Sequence, residues 1–187
     1  MSKKIGQIKK LVKNECLTLG FAGGWFYDVH LLAVEKCAKE LLVELPKANA
    51  EVVMLGVWLH DLQRVRGIAG DHAKMGAIEA EKVMKQFEYS EETIGQVKNM
   101  ILAHSCDTKL MPKTLEEKIL ATADAMSHYV NDFYLTIALS GKRDLPEFKK
   151  WALEKLDKDF NKKIFFVSVK KRIAPRHKIL KDFLTMG

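Results

Sequence analysis

Residues 57–64 read VWLHDLQR, an apolar run that ends abruptly in His60 and Asp61. Adjacent side chains on a helix point roughly 100° apart and do not normally share a target. At the last turn of a helix, where the backbone begins to turn away, they can converge on one ion. An imidazole nitrogen with a carboxylate oxygen suits a divalent metal of intermediate hardness. A His-Asp dipeptide also arises by chance on surfaces, so its meaning rests on partners elsewhere in the chain.

Apolar residues recur at three- and four-residue spacing throughout, and alternating β-branched runs are nearly absent. That periodicity predicts an all-α chain. Helices are expected at about 3–18, 26–44, 48–61, 71–87, 91–104 and 115–139, with basic helices at about 145–160, 162–172 and 175–185. Each of the four prolines is read as marking a place where a helical pattern stops or starts. FAGGW (21–25) and VRGIAGD (65–71) read as loops. Asp71 and Ser90 suit N-caps, and Thr114 with Glu117 suits a capping box. On these helices His30 shares a stripe with Val34, Cys37 and Leu41. His104 aligns with Ile94, Val97 and Ile101, and Asp124 with Leu120 and Ser127. His72 falls on the stripe of Gly76 and Val83. A single inward histidine is more often a hydrogen-bonded core residue than a ligand. Several such residues at helix faces and ends are better explained by one shared metal, which offsets several burial costs together.

The chain has 187 residues, 48% of them apolar, enough for one domain with a real core. Its three cysteines have no CxxC spacing, which reads as a reducing compartment. There is neither a signal-peptide pattern nor a stretch of ~20 apolar residues, so a cytoplasmic protein without a membrane partner is expected. The net charge of +7 is uneven: residues 142–187 hold 14 Lys/Arg against 6 Asp/Glu. Such a run usually decorates a solvated helical face, but it also suits anionic ligands or nucleic acid.

The order His30, His60-Asp61, Asp124 on an all-helical chain resembles the HD superfamily of metal-dependent phosphohydrolases. The strings HLLAVEKCAKELL, GVWLHDL, DHAKMGAIEAEKVM, VKNMILAHS and KILATADAMS carry the likeness over roughly residues 20–140. The segment 154–180 is similar to the tail of small stand-alone HD proteins. The resemblance implies a helical bundle of about 7–9 helices with a metal site in its core, followed by a basic helical extension at 142–187. It implies that His30, His60, Asp61 and Asp124 hold one divalent metal (Mn, Fe, Co, Ni or Zn). His72 and His104 would bind a second metal or face the substrate phosphate, with one ion favoured over two. Asp61, His72 and His104 would be the catalytic groups. Arg64 stands where dinuclear members often have a phosphate-contacting lysine (HDxGK), and Arg66, Lys74 and Lys109 would add positive potential at the mouth. His128 reads as a helix-surface histidine and His177 as a basic-tail histidine.

Gln63 and Arg64 stand where guanosine tetraphosphate hydrolases have an acidic pair, which argues against alarmone hydrolysis, and no GYP motif follows, which argues against cyclic-di-GMP as substrate. The expected activity is hydrolysis of a phosphoester or phosphoanhydride of a nucleotide or other small phosphorylated metabolite. The alternatives are a nucleic-acid-directed HD phosphodiesterase and a non-catalytic domain binding metal or ligand. Trp151, Phe160, Phe165 and Phe166 would cap the core or form a homodimer contact.

Overall fold

The computed structural model describes residues 2–19, 24–107 and 110–186. Among them there are nine α-helices of seven residues or more, a one-turn helix and no strand. Helix α1 is Lys3–Thr18. A π-helical turn, Phe26–Leu31, runs directly into α2, Leu32–Glu44. Then come α3 (Ala50–Leu59), the one-turn α4 (Leu62–Val65), α5 (His72–Gln86) and α6 (Glu91–Ala103). After α7 (Leu115–Ser127) follow α8 (Phe133–Leu139) and α9 (Leu145–Lys158). A second π-turn, Asp159–Lys163, and α10 (Val167–Thr185) complete the order.

The starts of these helices follow from their caps. Asn49, Asp71, Ser90, Thr114 and Asp144 each accept a hydrogen bond from a first-turn N–H, and Thr114 with Glu117 closes a full capping box. Helix α3 lies at the centre. Every residue from Val52 to Leu59 is buried, as expected of a helix apolar all round. It packs on α2, α6 and α7, while α5 packs on α6 and α2 on α7. No helix among the described residues is long and apolar enough to cross a membrane.

Three expectations are corrected. The helix read across 115–139 is two: α7 ends at Ser127 and α8 starts at Phe133. Asn131 makes the break, donating its amide to Val29 O and accepting from Phe133 N at 3.0 Å. Second, Pro175 ends nothing, because it lies inside the 19-residue α10. It is exposed, as is Lys171, whose carbonyl loses its helical partner to the missing N–H. Third, the helix carrying His30 begins as a π-turn, in which Leu32 N–H bonds to Tyr27 O. That wider turn buries the neighbouring pairs Phe26–Tyr27 and His30–Leu31 together. The loop expected at 21–25 lies outside the described residues as far as residue 23, and Gly24 has φ +83°.

Candidate metal centre

The backbone leaves the helix where the His-Asp pair stands. His60 still bonds to Gly56 O, but Asp61 has φ −111° and ψ 17°, outside the helical range. Both side chains therefore turn toward one point. There His30 Nε2 lies 3.6 Å from Asp61 Oδ2 and 3.5 Å from Asp124 Oδ1. His60 Nε2 lies 3.6 Å from Asp61 Oδ2 and 4.0 Å from Asp124 Oδ1. All four residues are buried. These separations exceed hydrogen-bond lengths, and His60 Nε2 has no hydrogen-bond partner.

The opposite nitrogen of each ring is held. His60 Nδ1 contacts Val57 O at 3.0 Å, and His104 Nδ1 contacts Ile101 O. Ser127 Oγ donates to Asp124 O at 2.7 Å, so its lone pairs accept from His30 Nδ1 at 3.2 Å. An N–H at Nδ1 in each ring leaves an Nε2 lone pair, the arrangement that orients imidazoles toward a metal. His30, His60 and Asp124 form one group of donor atoms within 4.8 Å of one another, and Asp61, His72 and His104 form another. His72 opens α5 and His104 caps α6, with ring centroids 5.3 Å apart.

His128 is not on the surface. Helix α7 ends at Ser127, and His128 is buried, stacked parallel to His30 at 5.2 Å. Its Nε2 is 3.7 Å from Asp124 Oδ1, and its Nδ1 bonds to Asp159 Oδ2 at 2.9 Å. Asp124 Oδ2 accepts from Lys163 Nζ. Asp159 and Lys163 were missed in the sequence, where they belong to a run that looks solvated. Both are buried, and with Lys155, Lys158 and Trp151 they line a cavity of about 270 Å³ that also contains His30, Asp61, Arg64, His72, His104 and Asp124. The one sequence signal available was spacing: Asp124/His128 and Asp159/Lys163 are both i, i+4 pairs and face each other.

The electrostatics follow from burial and these partners. Burial alone raises the Asp61 carboxyl, but His60, Arg64 and the His30 contact hold it well below the usual range. Asp124 is held low in the same way, against its burial, by Lys163, His128 and His30. Burial pushes His104 down to about 3. It pushes His128 to about 4, with Lys155 adding to the fall and Asp159 opposing it. Asp159 is drawn down to about 2 against its burial by Lys155 and His128. Burial would lower Lys163, yet Asp124 and Asp159 raise it above the ordinary lysine value.

The remaining basic candidates separate. Arg64 Nε donates to Asp61 Oδ1 at 2.9 Å, and the side chain is half-exposed at the cavity. Arg66 is turned away from the mouth: it is ion-paired to Glu15 and Glu79, both at 2.6 Å. Lys74 is exposed on α5 and does not line the cavity. Lys109 lies outside the described residues. His177 bonds to Asp157 at 3.1 Å and stacks on Phe160, within the tail as expected.

The family model for the HD domain matches residues 27–128, more than half of the chain. The chain belongs to the HD domain family. No curated protein and no solved structure matches it. HD domains bind divalent metals, and the family is in general one of metal-dependent phosphohydrolases. In this HD domain the matched segment ends at His128, so it holds both donor groups. The cavity wall from Phe133 to Lys163 follows it.

Proposed function

We propose that this HD domain is a metal-dependent phosphohydrolase that uses water to cleave a phosphoester or phosphoanhydride of a nucleotide or another small phosphorylated metabolite. The observation that carries the reading is His60 Nε2. It is a buried, unpartnered nitrogen beside two carboxylates and a second imidazole whose opposite nitrogen is already tethered. A site without a cation would leave that nitrogen at a cost of about 1–3 kcal/mol.

His30, His60, Asp61 and Asp124 would hold one ion, and their nitrogen and carboxylate donors suit Mn, Fe, Co, Ni or Zn. Asp61, His72 and His104 offer a second, weaker position, because Asp61 is shared and its Oδ1 is already bonded to Arg64. A divalent cation held there supplies water activation and charge neutralisation at the phosphoryl group. The side chains do the rest. Asp61 accepts a proton from the attacking water. His104, buried behind the mouth, fixes the line of attack. When the second position is empty, His72, half-buried at the mouth, donates its ring N–H to the leaving oxygen. Arg64, already bonded through Nε, has its other guanidinium N–H groups for phosphate oxygens. The cavity suits a small molecule better than a nucleic-acid strand. We also take residues 1–187 as one domain, because the C-terminal π-turn packs on α7 at the site itself.

Metal analysis with phosphate release from a panel of phosphorylated compounds tests this reading. His60→Ala and Asp61→Ala should lose both metal and turnover. Full activity in either variant would refute it.

A further inference from the structure

We propose that the wall built by α8 and α9 is a specificity subsite that selects dianionic phosphomonoesters whose alcohol part carries an apolar or aromatic ring. The inference rests on the phosphohydrolase reading and narrows its substrate. Every residue of this wall follows the segment matched to the HD family, so the family match assigns it nothing.

Two chemistries meet on the wall. Lys155 and Lys158 bring positive charge to a cavity that also holds Arg64. Their present partners are carboxylates: Lys155 lies 3.2 Å from Asp159, and Lys158 lies 2.8 Å from the exposed Asp107. A substrate phosphate can share or replace such contacts. Beside them Ile137 and Trp151, both half-buried, give the same cavity an apolar face. Trp151 is held in place by Phe148, with ring centroids 6.1 Å apart, and by Arg143, whose guanidinium lies 4.7 Å above the indole ring. A pocket that combines clustered cations with a fixed aromatic residue suits a phosphate attached to a ring.

The other direction out of the site does not suit a polyphosphate. An open groove adjoins the cavity and shares Arg64 and His72 with it. Among the described residues its other charged side chains are both carboxylates, Asp71 and Asp107, so further phosphates laid there would find no lysine or arginine beyond Arg64. The cavity itself, at about 270 Å³, lies just below the usual range for small-molecule sites. One phosphate and one ring system fill such a space.

The test compares adenosine 5′-monophosphate, ribose 5-phosphate and adenosine 5′-triphosphate on the metal-loaded protein, with release of inorganic phosphate as the readout. Wild type should favour adenosine 5′-monophosphate over the base-free sugar phosphate about tenfold in kcat/KM, and over the triphosphate by more. Trp151→Ala and Ile137→Ala should each reduce the first preference about tenfold, chiefly through KM. Lys158→Gln should raise KM for both monophosphates alike. Hydrolysis of the three compounds without any such preference would overturn the subsite and leave the phosphohydrolase reading standing. So would folded Trp151→Ala and Ile137→Ala variants that keep wild-type preference. If nothing is hydrolysed, calorimetric binding decides. Preference for adenosine 5′-monophosphate that disappears in Trp151→Ala upholds the subsite while the hydrolase reading fails, and equal binding of the two monophosphates overturns the subsite.

Discussion

Lys163 and Asp124 are ion-paired across 39 residues of chain, and both are buried. The lysine takes Oδ2, while Oδ1 faces His30, His60 and His128. The carboxylate is thus divided between a fixed ammonium and the candidate metal position. Thr122, two residues earlier on α7, secures the same turn: its hydroxyl donates to Lys163 O and accepts from Phe165 N, each at 3.2 Å. The C-terminal quarter is fastened to the helix that carries a candidate ligand.

Lys163→Met should therefore act unequally on the two forms of the protein. Without metal it leaves a buried carboxylate short of a cation, at a cost of about 3 kcal/mol. A bound divalent ion supplies the missing charge. The rise in Tm on adding metal should then be larger in the variant than in wild type, as thermal unfolding with and without chelator would show. Equal losses in both forms would mean that the pair is indifferent to the metal.

Gly76 sets the distance between α5 and the end of α3. A Cβ there would lie 2.8 Å from His60 O, a backbone atom that cannot swing aside. Gly76→Ala must push His60 or α5 away, and should cost about 1–3 kcal/mol while weakening metal affinity. Gly95 is the control. A Cβ at that position on α6 meets nothing within 4 Å, so Gly95→Ala should stabilise the helix by up to about 1 kcal/mol. Urea unfolding of both variants, with metal titration of each, checks the pair. A harmless Gly76→Ala would contradict this account of the packing.

The core of the site was legible because ionisable residues interrupt apolar stripes whose helical period is plain. His30, His104 and Asp124 stood out in that way, and His60 with Asp61 as a pair at a helix end. The resemblance to the HD superfamily joined His30, His60, Asp61 and Asp124 into one set, and the structure brings both imidazoles to within 4.0 Å of both carboxylates. His128 was not legible, because ADAMSH continues the helical period smoothly. The break after Ser127 depends on Asn131 reaching Val29, 102 residues away. Asp159 and Lys163 were hidden for a similar reason. Their partners are 31 and 39 residues away, and their neighbours have the composition of a solvated basic helix. Pro175 misled in the opposite sense: a proline on an exposed helix face need not end the helix.

Metal binding should be stepwise. The His30–His60–Asp61–Asp124 position should retain one ion through dialysis, and the Asp61–His72–His104 position should fill only with excess metal. His72→Ala should remove the weaker event from a calorimetric titration and leave the tighter one. His60→Ala should abolish the tighter one. Two ions of equal affinity in wild type would show that the bond from Arg64 to Asp61 does not weaken the second position.

The thiols give the protein an alkaline limit. Burial pushes Cys37 up to about 12 and Cys16 up to about 11, so both stay neutral in the folded chain well above the pH at which an exposed thiol ionises. In the unfolded chain they titrate near 8.5. A folded value raised above the unfolded one contributes stability that is complete below the unfolded value and is lost as pH rises toward the folded one. The thiol contribution should therefore be flat up to about pH 8.5 and should decline from there to about pH 11 for Cys16 and about pH 12 for Cys37. Tyrosines raised by burial, Tyr129 and Tyr134, add to the loss at the upper end, so the wild-type slope alone does not isolate a thiol. Cys37→Ala does isolate one. It should unfold at lower urea at pH 7, because a buried side chain is truncated, but lose less stability between pH 9 and 11, by about one proton in the slope. Parallel pH profiles for Cys37→Ala and wild type would show that this thiol ionises equally in both states.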